Sequence, residues 1–190
     1  MNAFFAYISR MKHIKRWALM RNSMEENIQE HSHMVAVLAH ALATIRNHHF
    51  DGCVDAGEVA AAALYHDASE ILTGDLPTPI KYFNPEIRDS YKQIERIAEK
   101  KLLHMLPEEL WADFEDLLTP VDEDVVELVK AADKLAAHIK CLEELKAGNH
   151  EFSRAAEQTL AALTECELPE LHYFLEHFLP AFSLTLDELE

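Results

Sequence analysis

The residues of this chain that could do chemistry sit where packing is expected. In "ALYHDASEILTGDLPTP", Ala63 to Pro79, His66, Asp67 and Glu70 occupy the end of an apolar helical pattern, and Asp75 lies just beyond it. Upstream, Ile28, Val35, Leu38, Leu42 and Ile45 form an apolar seam whose missing position is His31, so that imidazole points inward. Downstream, Val126, Val129, Asp133 and Ala136 share one helical face inside the small-residue run "KAADKLAA". A buried carboxylate is costly unless it is paired or bound to a metal, and a buried His needs its nitrogens satisfied. His31, His66, Asp67 and Asp133 therefore need a common partner. Two imidazoles with two carboxylates suit one divalent transition ion: Mn, Fe, Co, Ni or Zn. Each residue also has a plainer role taken singly. An inward His is ordinarily a hydrogen-bonded core residue, Asp133 can cap a helix or pair with Lys130 or Lys134, and Glu70 can pair with a basic side chain. Convergence from three helical segments favours the ion.

The elements that must position these groups are helical. Apolar residues recur at three- and four-residue steps along nearly the whole chain, and only 4 of 190 residues are Gly. An all-α fold of about eight helices in a single domain, residues 1–190, is expected. The spacing predicts helices over about Ala3 to Lys15, Ile28 to Arg46, Asp55 to Thr73, and from Asn84-Pro85 to about Leu106. It predicts four more over "PEELWADFEDLL", Asp122 to Lys146, "EFSRAAEQTLAALTEC" and "PELHYFLEHFL". Asp55 with Glu58, Asn84 before Pro85, and the glycines at 74 and 148 supply the start and stop signals. On the third helix Val59, Ala63, His66 and Glu70 share one stripe. Leu64, Asp67 and Ile71 share the next, about 100° round, so an ion between the stripes reaches both His66 and Asp67.

A net charge of −17 disfavours nucleic-acid polymers and anionic membranes as partners. No stretch approaches the roughly 20 apolar residues of a membrane span, and "FFAYISRMKHIKRWALM" has no continuous apolar signal-peptide core. Cys53, Cys141 and Cys166 are odd in number and scattered, which argues against a disulfide framework or thiolate zinc site and for the cytoplasm. The overlapping segment "SRMKHIKRWALMR" brings Arg10, Lys12, Lys15, Arg16 and Arg21 to an otherwise acidic chain. That is a docking place for an anionic substrate through guanidinium contacts, or a face that pairs with an acidic dimer mate.

The order H…HD…D, at Glu30-His31, His66-Asp67 and Ala131 to Asp133, resembles the HD-domain metal-dependent phosphohydrolases. More closely, "IKRWALMRN", "EHSHMVA", "YHDASEILTGDLPTPIKYFNPEI" and "KCLEELKAGN" resemble segments of the bacterial 5'-deoxynucleotidases. The resemblance implies a homodimeric, cytoplasmic enzyme that removes phosphate from deoxyribonucleoside 5'-monophosphates with one divalent ion, cobalt, manganese or copper being the usual activators. It implies that His31, His66, Asp67 and Asp133 hold the metal, His31 and Asp133 touching substrate as well. Arg16 would orient the phosphate, Glu70 would act on the catalytic water, and Trp17 and Asp75 would lie against the sugar. Two alternatives stand beside it: an HD-type hydrolase of a triphosphate, cyclic nucleotide or alarmone, and a nucleotide-binding sensor without turnover. Glu70 and Arg16 together favour turnover.

Overall fold

A computed structural model of the chain describes residues 2–81 and 83–189; Met1, Tyr82 and Glu190 lie outside it. Regular structure among the described residues is helical, with one isolated antiparallel bridge between Lys15 and Asn27. The helices are α1 (Phe4–Ile8), α2 (Ile28–His49), α3 (Ala56–Tyr65), α4 (Glu70–Thr73), α5 (Thr78–Lys81), α6 (Pro85–Leu103), α7 (Trp111–Leu118), α8 (Glu123–Lys146), α9 (Ser153–Thr164) and α10 (Pro169–His177). Eight of these have five residues or more, the number expected; α4 and α5 are single turns.

The apolar period does what it predicts. Ile28, His31, Val35, Leu38, Leu42 and Ile45 of α2 are all buried, and from Val35 on they share one core with Val59 and Ala63 of α3 and Leu128, Leu135 and Ile139 of α8. Small residues at the crossings, Ala39 and Ala43, Ala62 and Ala63, Ala131 and Ala132, let the three helices approach closely. That approach brings the ionisable groups of three segments together. A second cluster, Phe4, Ala68, Leu102, Leu103, Leu106 and Leu118, seats α1, α6 and α7 beside the end of α3. No helix among the described residues is long and apolar enough to cross a membrane.

Several boundaries differ from expectation, α2 running on to His49 past Arg46 and α7 starting only at Trp111 among them. The first helix stops at Ile8 rather than Lys15, because Ser9 Oγ–H donates to the Ala6 carbonyl (2.8 Å) and competes with the helical ladder. A 3-10 turn, Met11–His13, follows, and Ile14 is extended, so Arg16 and Trp17 sit on a loop. The Asp55–Thr73 helix is interrupted at the ionisable residues. The His66 Nδ1–H donates to the Ala63 carbonyl (2.7 Å), the acceptor that a continuing α-helix offers to Asp67. Residues 65 to 72 tighten into three-residue hydrogen bonds, Ala68 to Tyr65, Glu70 to Asp67 and Ile71 to Ala68, a geometry typical of strained or functional segments. The fourth helix ends at Leu103 rather than Leu106, with 3-10 bonds beyond it.

Candidate active site

The inward face of α2, the turn after α3 and the middle of α8 converge as the helical periods require. One ligand atom each from His31, His66 and Asp133 lies within 4.8 Å of the others, a grouping that could hold a metal ion. His31 Nε2 is 2.9 Å from Asp133 Oδ1. Asp67 Oδ2 stands 3.2 Å from His66 Nε2 and 3.7 Å from His31 Nε2. The tautomer of His66 fits a divalent transition ion as well. With Nδ1–H of His66 committed to a carbonyl, its buried Nε2 has no hydrogen-bond partner, the arrangement by which a protein orients an imidazole ligand.

The electrostatics are those of a cation site. Burial opposes charge on Asp67, but His66, His31 and Arg16 outweigh it and hold its carboxyl well below the usual carboxylate range. Burial likewise opposes charge on His66, and Asp67 and Asp133 override it, raising the imidazole to about 9. Glu70 goes the other way. Burial first, then the charges of Asp67 and Asp75, push it up to about 9, and its Oε2 is buried without a hydrogen-bond partner.

A cavity of about 740 Å³ opens over this cluster, with Asp67, Glu70 and Asp133 in its wall. Arg16, Trp17 and Asp75 line it too, so all the candidate residues are either in the cluster or on the cavity. Arg16 Nη1 donates to Asp67 Oδ2 (3.3 Å) and Nε to Glu26 Oε2 (3.1 Å). Glu26 also accepts from Trp17 Nε1 (3.1 Å), whose ring packs on Phe152 at 5.3 Å between centroids. Trp17 has φ +56°, a left-handed conformation that costs a bulky residue about 1–3 kcal/mol. Asp75 follows Gly74, whose φ of +76° ends α4.

The profile of the family described as 5'-deoxynucleotidase YfbR-like matches residues 3–182. The chain belongs to the YfbR-like 5'-deoxynucleotidase family. It is 54% identical over 188 residues to the 5'-deoxynucleotidase of Vibrio cholerae, covering 98% of this chain and 97% of that one. It is 53% identical over 191 residues to 5'-deoxynucleotidase plu3092 of Photorhabdus laumondii, covering 100% and 97%. The fold is that of an HD-domain phosphohydrolase from Listeria innocua, with TM-score 0.81 and 24% identity over 94% of this chain and 87% of that one. An HD phosphohydrolase of cyanophage S-2L, solved bound to dA and one catalytic Zn2+ ion, shares it at TM-score 0.62 and 24% identity over 92% and 95%.

Against this family background, the basic segment is less of a docking site than its composition implies. Of its cations only Arg16 lines the cavity; Arg10, Lys12, Lys15 and Arg21 are exposed, and Lys15 pairs with Glu25 at 2.7 Å. The cavity's other cations are Lys81 of α5 and Lys134 of α8. Glu26, Lys81 and, from α9, Gln158 and Thr159 escaped the sequence reading, and Lys134 entered it only as a pairing partner for Asp133. Of these only Lys134 carried a usable signal, standing next to a candidate ligand on a helix whose register was known.

Proposed function

We infer that the protein is a 5'-deoxynucleotidase, hydrolysing deoxyribonucleoside 5'-monophosphates to deoxyribonucleoside and phosphate with one divalent transition metal ion. The observation that carries this is identity above half, over nearly the full length, to curated 5'-deoxynucleotidases, in a chain whose His31, His66 and Asp133 form a metal-type cluster. Asp67 is proposed as the fourth ligand, on the distance of its Oδ2 from both imidazoles. When bound, the ion supplies Lewis acidity toward a phosphoryl oxygen and water. Arg16, charged and on the cavity wall, donates from its guanidinium to the phosphate. Glu70, on the cavity wall with Oε2 unpartnered, takes a proton from the attacking water in its ionised form, which the charge of a bound cation would favour over the protonated form that burial, Asp67 and Asp75 favour without it. Asp75 accepts from the 3'-hydroxyl, and Trp17 closes the space at C2', so that a ribose hydroxyl there is desolvated without a partner. Cobalt, manganese or a similar ion, a cytoplasmic location, a single domain over 1–190 and a homodimer complete the proposal. For the dimer, exposed Ile87, Ile94 and Ile97 on α6 offer an apolar row.

Phosphate release from matched deoxy- and ribonucleoside mono- and triphosphates, with each metal in turn, tests it. Triphosphates belong in the panel because Lys81 and Lys134 line the cavity. The deoxy monophosphates should lead, by up to about 100-fold over ribo from pocket shape alone. A deoxy-to-ribo kcat/KM ratio near one refutes the reading; an unchanged ratio in Trp17→Ala removes Trp17 from the selectivity.

A further inference from the structure

The loop bearing Arg16 and Trp17 leaves at Ile14 and returns at Asn27, closed by Arg16 N–H to the Glu26 carbonyl (2.9 Å) and Ile28 N–H to the Ile14 carbonyl (3.0 Å). Trp17 and Met20 pack on Phe152 and its neighbours, but the tip beyond them has little apolar contact, for Leu19 and Met24 are 75% and 77% exposed. A buried ion pair further along α8 from Asp133 holds it instead. Lys140 and Glu144, 5% and 2% exposed, meet at 2.5 Å. Glu144 accepts from Ser23 N–H (2.8 Å), Met24 N–H (3.4 Å) and Asn149 Nδ2 (2.8 Å). Lys140 donates to the Met24 carbonyl (2.6 Å), and Asn149 to the Arg21 carbonyl (2.7 Å). A buried pair is weak evidence of stability, because apolar residues of similar volume do as well or better. Directional bonds to one loop are what the apolar alternative lacks.

We propose that Lys140 and Glu144 are positioning residues for the substrate contacts: they clamp the loop tip at Arg21 to Met24 and thereby hold Arg16 and Trp17 in working register on the cavity wall. This rests on the substrate roles given to Arg16 and Trp17 above. The link from tip to wall is short. Met20 N–H and Asn22 Nδ2 both donate to the Trp17 carbonyl, at 2.9 and 3.3 Å. The left-handed φ of Trp17 persists only while its surroundings over-determine it, so a released tip lets it relax. Misplacing a positioning group by about 1 Å costs on the order of 100-fold in rate. Burial opposes the charge on Glu144, yet the bonds from Lys140, Asn149 and Ser23 hold its carboxyl down at about 2. Glu144 is therefore charged across the neutral range.

The test replaces both charges by apolar groups, Lys140→Met with Glu144→Leu. Ser23 and Met24 are exposed, so water can satisfy the freed loop amides while the core stays filled. Helicity, metal content, kcat and KM on matched deoxy and ribo substrates, and the fluorescence anisotropy of Trp17 in a Trp111→Phe background are measured. Trp17 and Trp111 are the chain's two tryptophans, so the background isolates the loop. The double variant should keep its helicity and metal, lose about 10- to 100-fold in deoxynucleotide kcat/KM, narrow the deoxy-to-ribo ratio, and give a more mobile Trp17. Glu144→Gln, which retains an acceptor oxygen for the loop, should recover part of each loss. Double-variant kinetics within about twofold of wild type overturn the clamp whatever the anisotropy, and so does a loss of activity that merely follows loss of metal or helicity. A wild-type protein that releases no phosphate from any deoxynucleotide refutes instead the function on which the clamp rests.

Discussion

At His66 two demands meet on one ring. Its Nδ1–H takes the Ala63 carbonyl and its Nε2 faces two carboxylates, so the residue that ends the helix also aims a nitrogen at the cluster. Asp133 completes the grouping from α8. Asp133→Ala should lose bound metal and turnover together, by metal analysis alongside phosphate release; full metal content in that variant excludes Asp133 as a ligand. Arg16 and Glu70 should separate in kinetics. The phosphate is charged in ground and transition states alike, so Arg16→Ala should raise KM and lower kcat, together about 100-fold or more in kcat/KM. Glu70→Gln should retain metal and KM while kcat falls about 100- to 10,000-fold, the range of general acid–base catalysis. Loss of the ion from Glu70→Gln makes Glu70 a ligand.

Among the elements, the loop between Ile14 and Asn27 and the turn after α3 bring the least regular backbone to the cavity, while α2 and α8 are long and closely packed. Precision at the site therefore depends on what ties the irregular parts to the regular ones. At its far end the loop joins α2 through a capping box, Asn27 Oδ1 accepting from Gln29 and Glu30 N–H, both at 3.0 Å, and Glu30 accepting from Asn27 N–H. At its tip it joins α8 through Glu144. The folded carboxyl of Glu144 lies at about 2 against an ordinary 4.5, so its contribution to stability is whole above about pH 4.5 and disappears as the pH falls toward 2. Glu144→Gln should cost about 3 kcal/mol near neutral pH, since Lys140 loses its buried countercharge. The gap between variant and wild type should close on acidification through that window. Urea titrations at a series of pH values check this, and a gap independent of pH places the cost elsewhere.

Over the whole molecule, the metal-type cluster lies where α2, the turn after α3 and α8 meet, three segments far apart in the chain. An ion bound there ties them, so it stabilises the native state by mass action, about 2.7 kcal/mol at a free concentration 100 times Kd. For a chain of this size that corresponds to a Tm higher by about 5–10 °C. Chelation should lower Tm by that amount, and re-addition of cobalt or manganese should restore it, by calorimetry. A Tm indifferent to chelator rejects the cluster as a stabilising metal site. The charge of −17 leaves little attraction for an anionic substrate outside the cavity, which makes Arg16, Lys81 and Lys134 the principal source of it.

The order and approximate extents of the long helices were legible from residue order alone, because the apolar period that writes a helix is local and its burial follows from the same period. His31, His66 and Asp133 were legible for that reason too: an ionisable group in an apolar stripe is conspicuous, although Asp133, expected to be buried, has a side chain 42% exposed. The break after Tyr65 was not, since it arises when the His66 side chain takes a main-chain carbonyl, a competition that ideal helical geometry omits. Nor could position along the chain assign Glu144 to Ser23, 121 residues away, or bring Lys81 to the cavity while leaving Lys15 in solvent. Helical period depends on neighbours three and four residues apart, whereas those pairings depend on how the packed helices place one loop against another, and only the tertiary structure decides that.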